Sequence, residues 1–231
     1  MRKLVMRETG RERLGPGSAF RAIWLAWTVS IAGDEVSVLA LPLAAAATLD
    51  ASAFEMGVLS ASGTLPFLLF GLLAGVWVDR HRRKPVLVAS DVGRGLLLLS
   101  IPLAAIFDAL TMAQLVVVAF AAGLFNVFFS VASLSILPAV VDRSRLVEAN
   151  SRMEASQAVV RVAMPGPAGL LIQAVGAPLA IGLDALSFLA SGLLVARAGI
   201  TETAAVPVDG ARTRRVVTMA GAAVGVFALW A

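Results

Sequence analysis

From Ala109 to Val141 the chain runs for 33 positions without an Asp, Glu, Lys or Arg, and from Met56 to Val78 it does so for 23. A helix needs about 20 predominantly apolar residues to cross the hydrocarbon core of a bilayer. In lipid every backbone N–H and C=O must be bonded within its own segment, so runs of this kind are read as transmembrane α-helices. The expected fold class is an all-α, polytopic membrane protein. The composition points the same way, with 59% hydrophobic and 15% charged residues where a soluble domain carries about a quarter charged.

Six complete spans are expected, near residues 20–48, 55–78, 86–107, 112–138, 152–175 and 178–197. The first is expected to be a retained helix rather than a cleaved signal. Phe20 to Thr48 is longer than a signal core of roughly 7–15 residues, and it contains Asp34 and Glu35. Seventeen of the 19 basic residues fall in the N-terminus through Arg21, the 79–85 turn, the 142–152 loop and the stretch from Arg197 to Arg215. The alternate connections, near Asp50, Asp108 and Gly176–Pro178, hold none. By the positive-inside rule both the N-terminus and the loop after the sixth span are cytoplasmic, which an even number of spans requires. The localisation expected is the cell membrane, multi-pass.

The chain divides into a basic cytoplasmic N-terminus (1–19), a six-helix bundle (20–197), a polar cytoplasmic linker (198–215) and a final apolar stretch (216–231). That stretch, "VVTMAGAAVGVFALWA", would extend about 24 Å as a helix, short of the ~30 Å core. It reads as the start of a seventh span, and the chain as a truncated product, a partial chain or a half that pairs.

Several chemistries are excluded. There is no cysteine, hence no disulfide, thiolate metal site or Cys nucleophile. The single histidine, His81, lies in a charged turn, and there is no GxxxxGK[ST] loop for a nucleotide. No enzyme, cofactor or metal is expected. The net charge of +4 is distributed as membrane topology distributes it, so no nucleic-acid partner is expected.

The turn itself, "GVWVDRHRRKPVL" (75–87), packs six ionisable residues between two apolar runs. Attraction to anionic lipid accounts for its basic residues, at about 1 kcal/mol each near the surface. It does not account for Asp79, nor for Gly71 and Gly75, whose GxxxG spacing lets another helix approach closely. Together Gly75-x-x-x-Asp79-Arg80-x-Arg82-Arg83-Lys84 resembles the G-x-x-x-D-[RK]-x-G-[RK]-[RK] signature of the major facilitator superfamily of secondary transporters, with Arg82 where the family usually has Gly. "SIAGDEVSVLALP", "SDVGRGLLLL", "LPAVVDRSRLVEAN", "GPAGLL" and "LDALSFLASG" extend the resemblance over about residues 20–200. The branch it looks like is that of enterobactin-type exporters and transmembrane secretion effectors.

The resemblance implies the N-terminal six-helix half of a facilitator fold, a 3+3 inverted repeat. It also implies a conformational latch on the cytoplasmic side, built from Gly75, Asp79, Arg80, Arg83 and Lys84, with Asp142 as a partner for Arg83. Gly166-Pro167 resembles part of the Gly-Pro motif of antiporter-type members and marks a place of helix bending or packing, as Gly71 does. Helix 4 has Ala119 near the place where many proton antiporters carry an arginine.

An ionisable side chain within a spanning helix costs a few kcal/mol and is by default functional or paired. Asp34 lies about 21 Å along the first span, on one stripe with Trp27, Ser30, Ser37 and Leu41. Two readings stand: Asp34 in a water-filled cavity, coupling a proton or pairing a cation, or Asp34 in a structural role, paired permanently with Arg161 or capping a helix irregularity. Arg161 is read either as that counter-ion or as a contact for an anionic substrate. Trp27, Ser30 and Asn126 are candidate cavity residues. Asn126, Ser130 and Ser133 form a second polar stripe, Glu154, Gln157 and Arg161 a third, and Asp91 with Arg94 reads as a local ion pair. The expected function is transport: half of an export-type secondary transporter, proton-coupled, for a small amphipathic molecule of the drug or siderophore class. Its partners would be that small-molecule substrate, the lipid bilayer, and a C-terminal half or a second copy. The alternatives are a non-transporting scaffold or partner subunit and an inactive truncated product.

Overall fold

The computed structural model describes residues 16–198, so the first 15 residues, the linker beyond Ala198 and the apolar stretch 216–231 lie outside the described residues. Within them the chain is helical: α1 (Pro16–Leu49), α2 (Ala53–Asp79), α3 (Arg83–Ile106), α4 (Met112–Val140), α5 (Leu146–Ala163), α6 (Pro165–Val175) and α7 (Ala177–Arg197). Five helices are long and apolar enough to span a membrane singly, and α5 with α6, bent by 49° at their junction, passes the same test only as a pair. The five single helices fall at five of the six expected spans, with boundaries shifted by a few residues, and the bent pair covers the place of the fifth. The fifth span starts at Leu146 rather than near 152.

The bend is placed by proline, just ahead of the expected Gly166-Pro167. It falls at Met164, ahead of Pro165. Pro165 and Pro167 have no N–H to offer the Arg161 and Ala163 carbonyls, and the ring of each crowds the preceding turn. Gly166 and Pro167 are themselves exposed, and a Cβ at Gly166 would meet nothing within 4 Å.

The connections without basic residues are tight. Asp50, Asp108 and Gly176 each end a helix at positive φ (49°, 51° and 85°), a conformation that Gly, Asp and Asn reach most readily. The next helix is capped at once after the first two. Ser52 Oγ accepts from the Glu55 N–H while Glu55 Oε2 accepts from the Ser52 N–H, and Thr111 Oγ1 accepts from the Gln114 N–H at 3.2 Å.

The helices pack in the spatial order α2, α4, α3, α7, α1, with α5 and α6 laid against α1. The α2–α4 seam is closed by glycine. A Cβ on Gly123 would stand 2.7 Å from the Gly63 carbonyl and 3.1 Å from the Pro66 ring, so the backbones approach as only small residues allow. One apolar layer contains Val36, Leu98, Ile101, Leu115 and Phe188, and a second contains Ile23, Leu87, Phe129, Ile136 and Val195. The outer surface is apolar too, with Phe67 at 65% and Leu68 at 66% exposure. Lipid, not water, is the solvent that tolerates such a surface.

Candidate functional site

Between the two apolar layers lies a polar belt drawn from α1, α3 and α7. On α1 it contains Ser30, Asp34 and Ser37, on α3 Ser90, Asp91 and Arg94, and on α7 Asp184, Ser187 and Ser191. Serine and aspartate at spacings of three and four residues keep these groups on the inward stripe of each helix.

Nearly every bond in the belt crosses a helix seam. Arg94 Nη2 donates to Asp34 Oδ1, tying α3 to α1. The Arg94 guanidinium carbon lies 3.9 Å from the centre of the Phe188 ring on α7, a cation–π contact. Ser37 on α1 donates to Asp184 Oδ2, and Ser187 donates to Asp184 Oδ1 at 3.1 Å. Ser191 Oγ lies 2.6 Å from Asp91 Oδ2 and 3.0 Å from the Ala26 carbonyl, so its one proton joins α7 either to α3 or to α1. Ser30 reaches Asp91 Oδ1 from the α1 side at 3.5 Å. Gly33 makes room for all this, since a Cβ there would overlap the Asp184 carboxylate and the Ser187 hydroxyl.

The belt is unevenly enclosed. The Arg94 side chain is 4% exposed and that of Asp34 28%, so the pair opens to the surroundings on the carboxylate side. Arg94 Nε and Nη1 find no hydrogen-bond partner among the described residues. Arg94 is the one basic group among these belt residues, which hold three carboxyls, Asp34, Asp91 and Asp184. Among the described residues no three His, Asp or Glu side chains are placed to hold a metal ion.

Several expectations are corrected here. The partner of Asp34 is Arg94, not Arg161, because α3 packs across α1 and α7 while Arg161 stands exposed on α5 without an ion pair among the described residues. Arg94 therefore does not simply pair with Asp91 on its own helix. Ser30 is fully buried against Asp91 and does not line an open cavity. Trp27 is half-buried and stacked on Phe129, with ring centres 5.7 Å apart and planes within 11°. Asn126 is exposed, and its Oδ1 accepts from Ser130 at 3.5 Å. A Cβ at Gly71 or Gly75 would meet nothing within 4 Å, so this GxxxG pair closes no seam among the described residues. Asp184 and its serines were missed as site residues, although Asp184, Ser187 and Ser191 form a polar stripe visible in the sequence.

The charged turn sits at the end of the bundle that holds the basic loops. Asp79 ends α2 in an exposed position, and the Arg80 N–H caps that helix on the Trp77 and Val78 carbonyls. His81 stacks on Trp77 with ring centres 4.0 Å apart, its Nδ1 2.8 Å from the Trp77 carbonyl. Lys84 Nζ donates to the Ala198 carbonyl at 2.6 Å, joining the start of α3 to the end of α7. None of Arg80, Arg83 and Lys84 is without a contact. Asp142 begins the short turn Arg143–Arg145 and accepts the Arg145 N–H at 2.9 Å on its backbone carbonyl.

The family model described as Major Facilitator Superfamily matches residues 23–231. The chain belongs to the major facilitator superfamily. It is similar to the multidrug efflux pump Tap of Mycolicibacterium fortuitum, at 30% identity over 63% of this chain and 36% of that protein. It is similar to macrolide efflux protein A of Streptococcus pyogenes, at 24% identity over 77% of this chain and 44% of that protein. A shorter match, 37% identical over 32% of this chain and 18% of the relative, is to the MFS-type transporter YfiS of Bacillus subtilis. The match spans less than half the length of each relative. This facilitator chain is thus a multi-pass membrane protein whose relatives are transporters, and its fold is consistent with half of a facilitator.

Proposed function

We propose that these six spans form one wall of a proton-coupled exporter for small amphipathic molecules, with Asp34 as the coupling carboxylate and Arg94 as its counter-ion. The observation that carries the reading is the Asp34–Arg94 pair, partly open on the carboxylate side and set among two further buried carboxyls. A permanent structural pair gains little from surplus carboxyls, whereas a site that alternates between proton and guanidinium uses them. The names of the relatives, a multidrug pump and a macrolide efflux protein, support drug-like cargo over a siderophore, and with it export. The facing wall comes from a C-terminal half or a second copy, against which exposed Asn126, Arg161, Gly71 and Gly75 would lie. Asp79, Arg80, Arg83, Lys84 and Asp142 form the latch that holds the two walls together on the cytoplasmic side. The reading places the protein in the cell membrane with its N-terminus in the cytoplasm, which the distribution of basic residues supports.

The test is transport of a fluorescent amphipathic dye into acid-loaded everted vesicles that carry the protein, the direction efflux takes when the cytoplasmic face is outward. Efflux is expected with Asp34 and is expected to fall at least tenfold in Asp34→Asn at equal membrane content. Equal efflux from both would remove Asp34 from coupling. A scaffold or partner subunit, the second reading, predicts no dye movement from either.

A further inference from the structure

The cytoplasmic end of the bundle holds a small cavity with no part in the polar belt. It measures about 120 Å³ and lies where the start of α1 meets the α4–α5 junction, lined by Phe20, Arg21, Asp142, Arg145, Glu148 and Arg152 among others. That space takes a phosphate-sized group with a few waters. Glu148 already bridges two of its arginines, with Oε2 3.2 Å from Arg145 Nε and Oε1 3.0 Å from Arg152 Nη2. Each guanidinium carries five N–H donors, so both keep donors to spare. Arg21 makes no ion pair among the described residues, and Asp142 is exposed. The cluster is cationic by one charge even with Glu148 and Asp142 counted.

Its depth identifies the solvent it meets. One turn inward from Arg21, Trp24 places its indole N–H on Ser156 Oγ at 2.8 Å and packs beside Leu137, Ala149 and Met153. A tryptophan with a polar partner at one end and apolar packing at the other belongs at the membrane–water boundary. The arginines one turn beyond it therefore stand at headgroup level, on the side assigned to the cytoplasm. The rest of the wall is apolar, supplied by Phe20, Val140 and Val141, which suits the glycerol and first methylenes of a lipid better than a free ion.

We propose that this pocket binds the phosphodiester of an anionic phospholipid headgroup, clamped by Arg21, Arg145 and Arg152, and so pins α1 to α5. Basic pockets between helices on the cytoplasmic side are a recurring way to hold such headgroups. Glu148 competes with the phosphate for two of the three clamps. Removing it should tighten binding, a sign that a purely structural role for the salt bridges does not predict.

The test is lipid binding by native mass spectrometry of the purified full chain, titrated with phosphatidylglycerol and, separately, phosphatidylcholine. Arg197→Gln serves as a control that removes the same charge at the same end of the bundle. Phosphatidylglycerol is expected to bind more tightly than phosphatidylcholine, about fivefold more weakly to Arg21→Gln, and within twofold of the parent in Arg197→Gln. Glu148→Gln is expected to strengthen it. Because these side chains are exposed and their surface ion pairs add little to stability, the variants should keep the parent's thermal midpoint. Equal losses in Arg21→Gln and Arg197→Gln would reduce the effect to general charge attraction and overturn the site. Displacement of the lipid by millimolar inorganic phosphate would overturn the lipid assignment in favour of a free phosphate anion.

Discussion

Two helix seams in this bundle solve the same problem in different ways. The α2–α4 seam is dry and small: Gly123 lies against the Gly63 backbone and Pro66, with no ionisable group between them. The α1–α3–α7 seam carries Asp34, Asp91, Arg94 and Asp184 with their serines. In a membrane, apolar helices gain nothing by leaving lipid for one another, so close van der Waals contact is what holds the first seam. The second holds charge out of lipid, and its members are stable only as long as each has its partner. The dry seam is a fastener. The polar one is costly, and the proposed coupling role is what would account for that cost.

The largest expected effect separates the two directly. Arg94→Leu leaves Asp34 without its counter-ion beside two other carboxyls, and is expected to cost about 3–5 kcal/mol, read as a lowered unfolding midpoint in detergent. Adding Asp34→Leu should restore part of that loss. If Arg94→Leu unfolds at the parent's midpoint, the charged seam is not held by this pair.

Next comes the dry seam. Gly123→Val forces a branched side chain into the Gly63 carbonyl and is expected to cost roughly 1–3 kcal/mol by overpacking, with Asp34-dependent efflux retained in whatever fraction folds. Loss of efflux at full stability would mean that α2–α4 spacing also sets the transport path, and the contrast between fastener and machine would weaken.

A smaller change tests how far the polar seam depends on single hydrogen bonds. Ser191→Ala removes one donor shared between Asp91 and the Ala26 carbonyl, and should cost about 0.6 kcal/mol, the usual worth of such a bond in a membrane bundle. The smallest effect is expected at Gly75→Ala. Its Cβ meets nothing among the described residues, so stability should shift by less than about 0.5 kcal/mol while efflux falls if the facing wall packs there. Unchanged efflux would take Gly75 out of the latch.

Much of this molecule was legible as a string of residues. Lipid demands internally bonded helices about 20 residues long, so the apolar runs located the membrane-spanning helices. The clustering of Arg and Lys in alternate loops set the expected orientation, and the cost of an intramembrane charge singled out Asp34 before any partner was known. Asp184 was equally visible as part of a polar stripe, but its place depends on which helix that stripe faces. Tertiary structure decided the pairings. Helical periodicity places a side chain on a face of its own helix and says nothing about the neighbour across the seam. Asp34 therefore went to Arg94 rather than Arg161, the close-packed glycines proved to include Gly33, Gly95 and Gly123 but not Gly71 and Gly75, and Ser30 turned inward to Asp91. Each of these outcomes follows from helix crossings, which depend on shape complementarity summed along whole interfaces, a property no local pattern of residues contains.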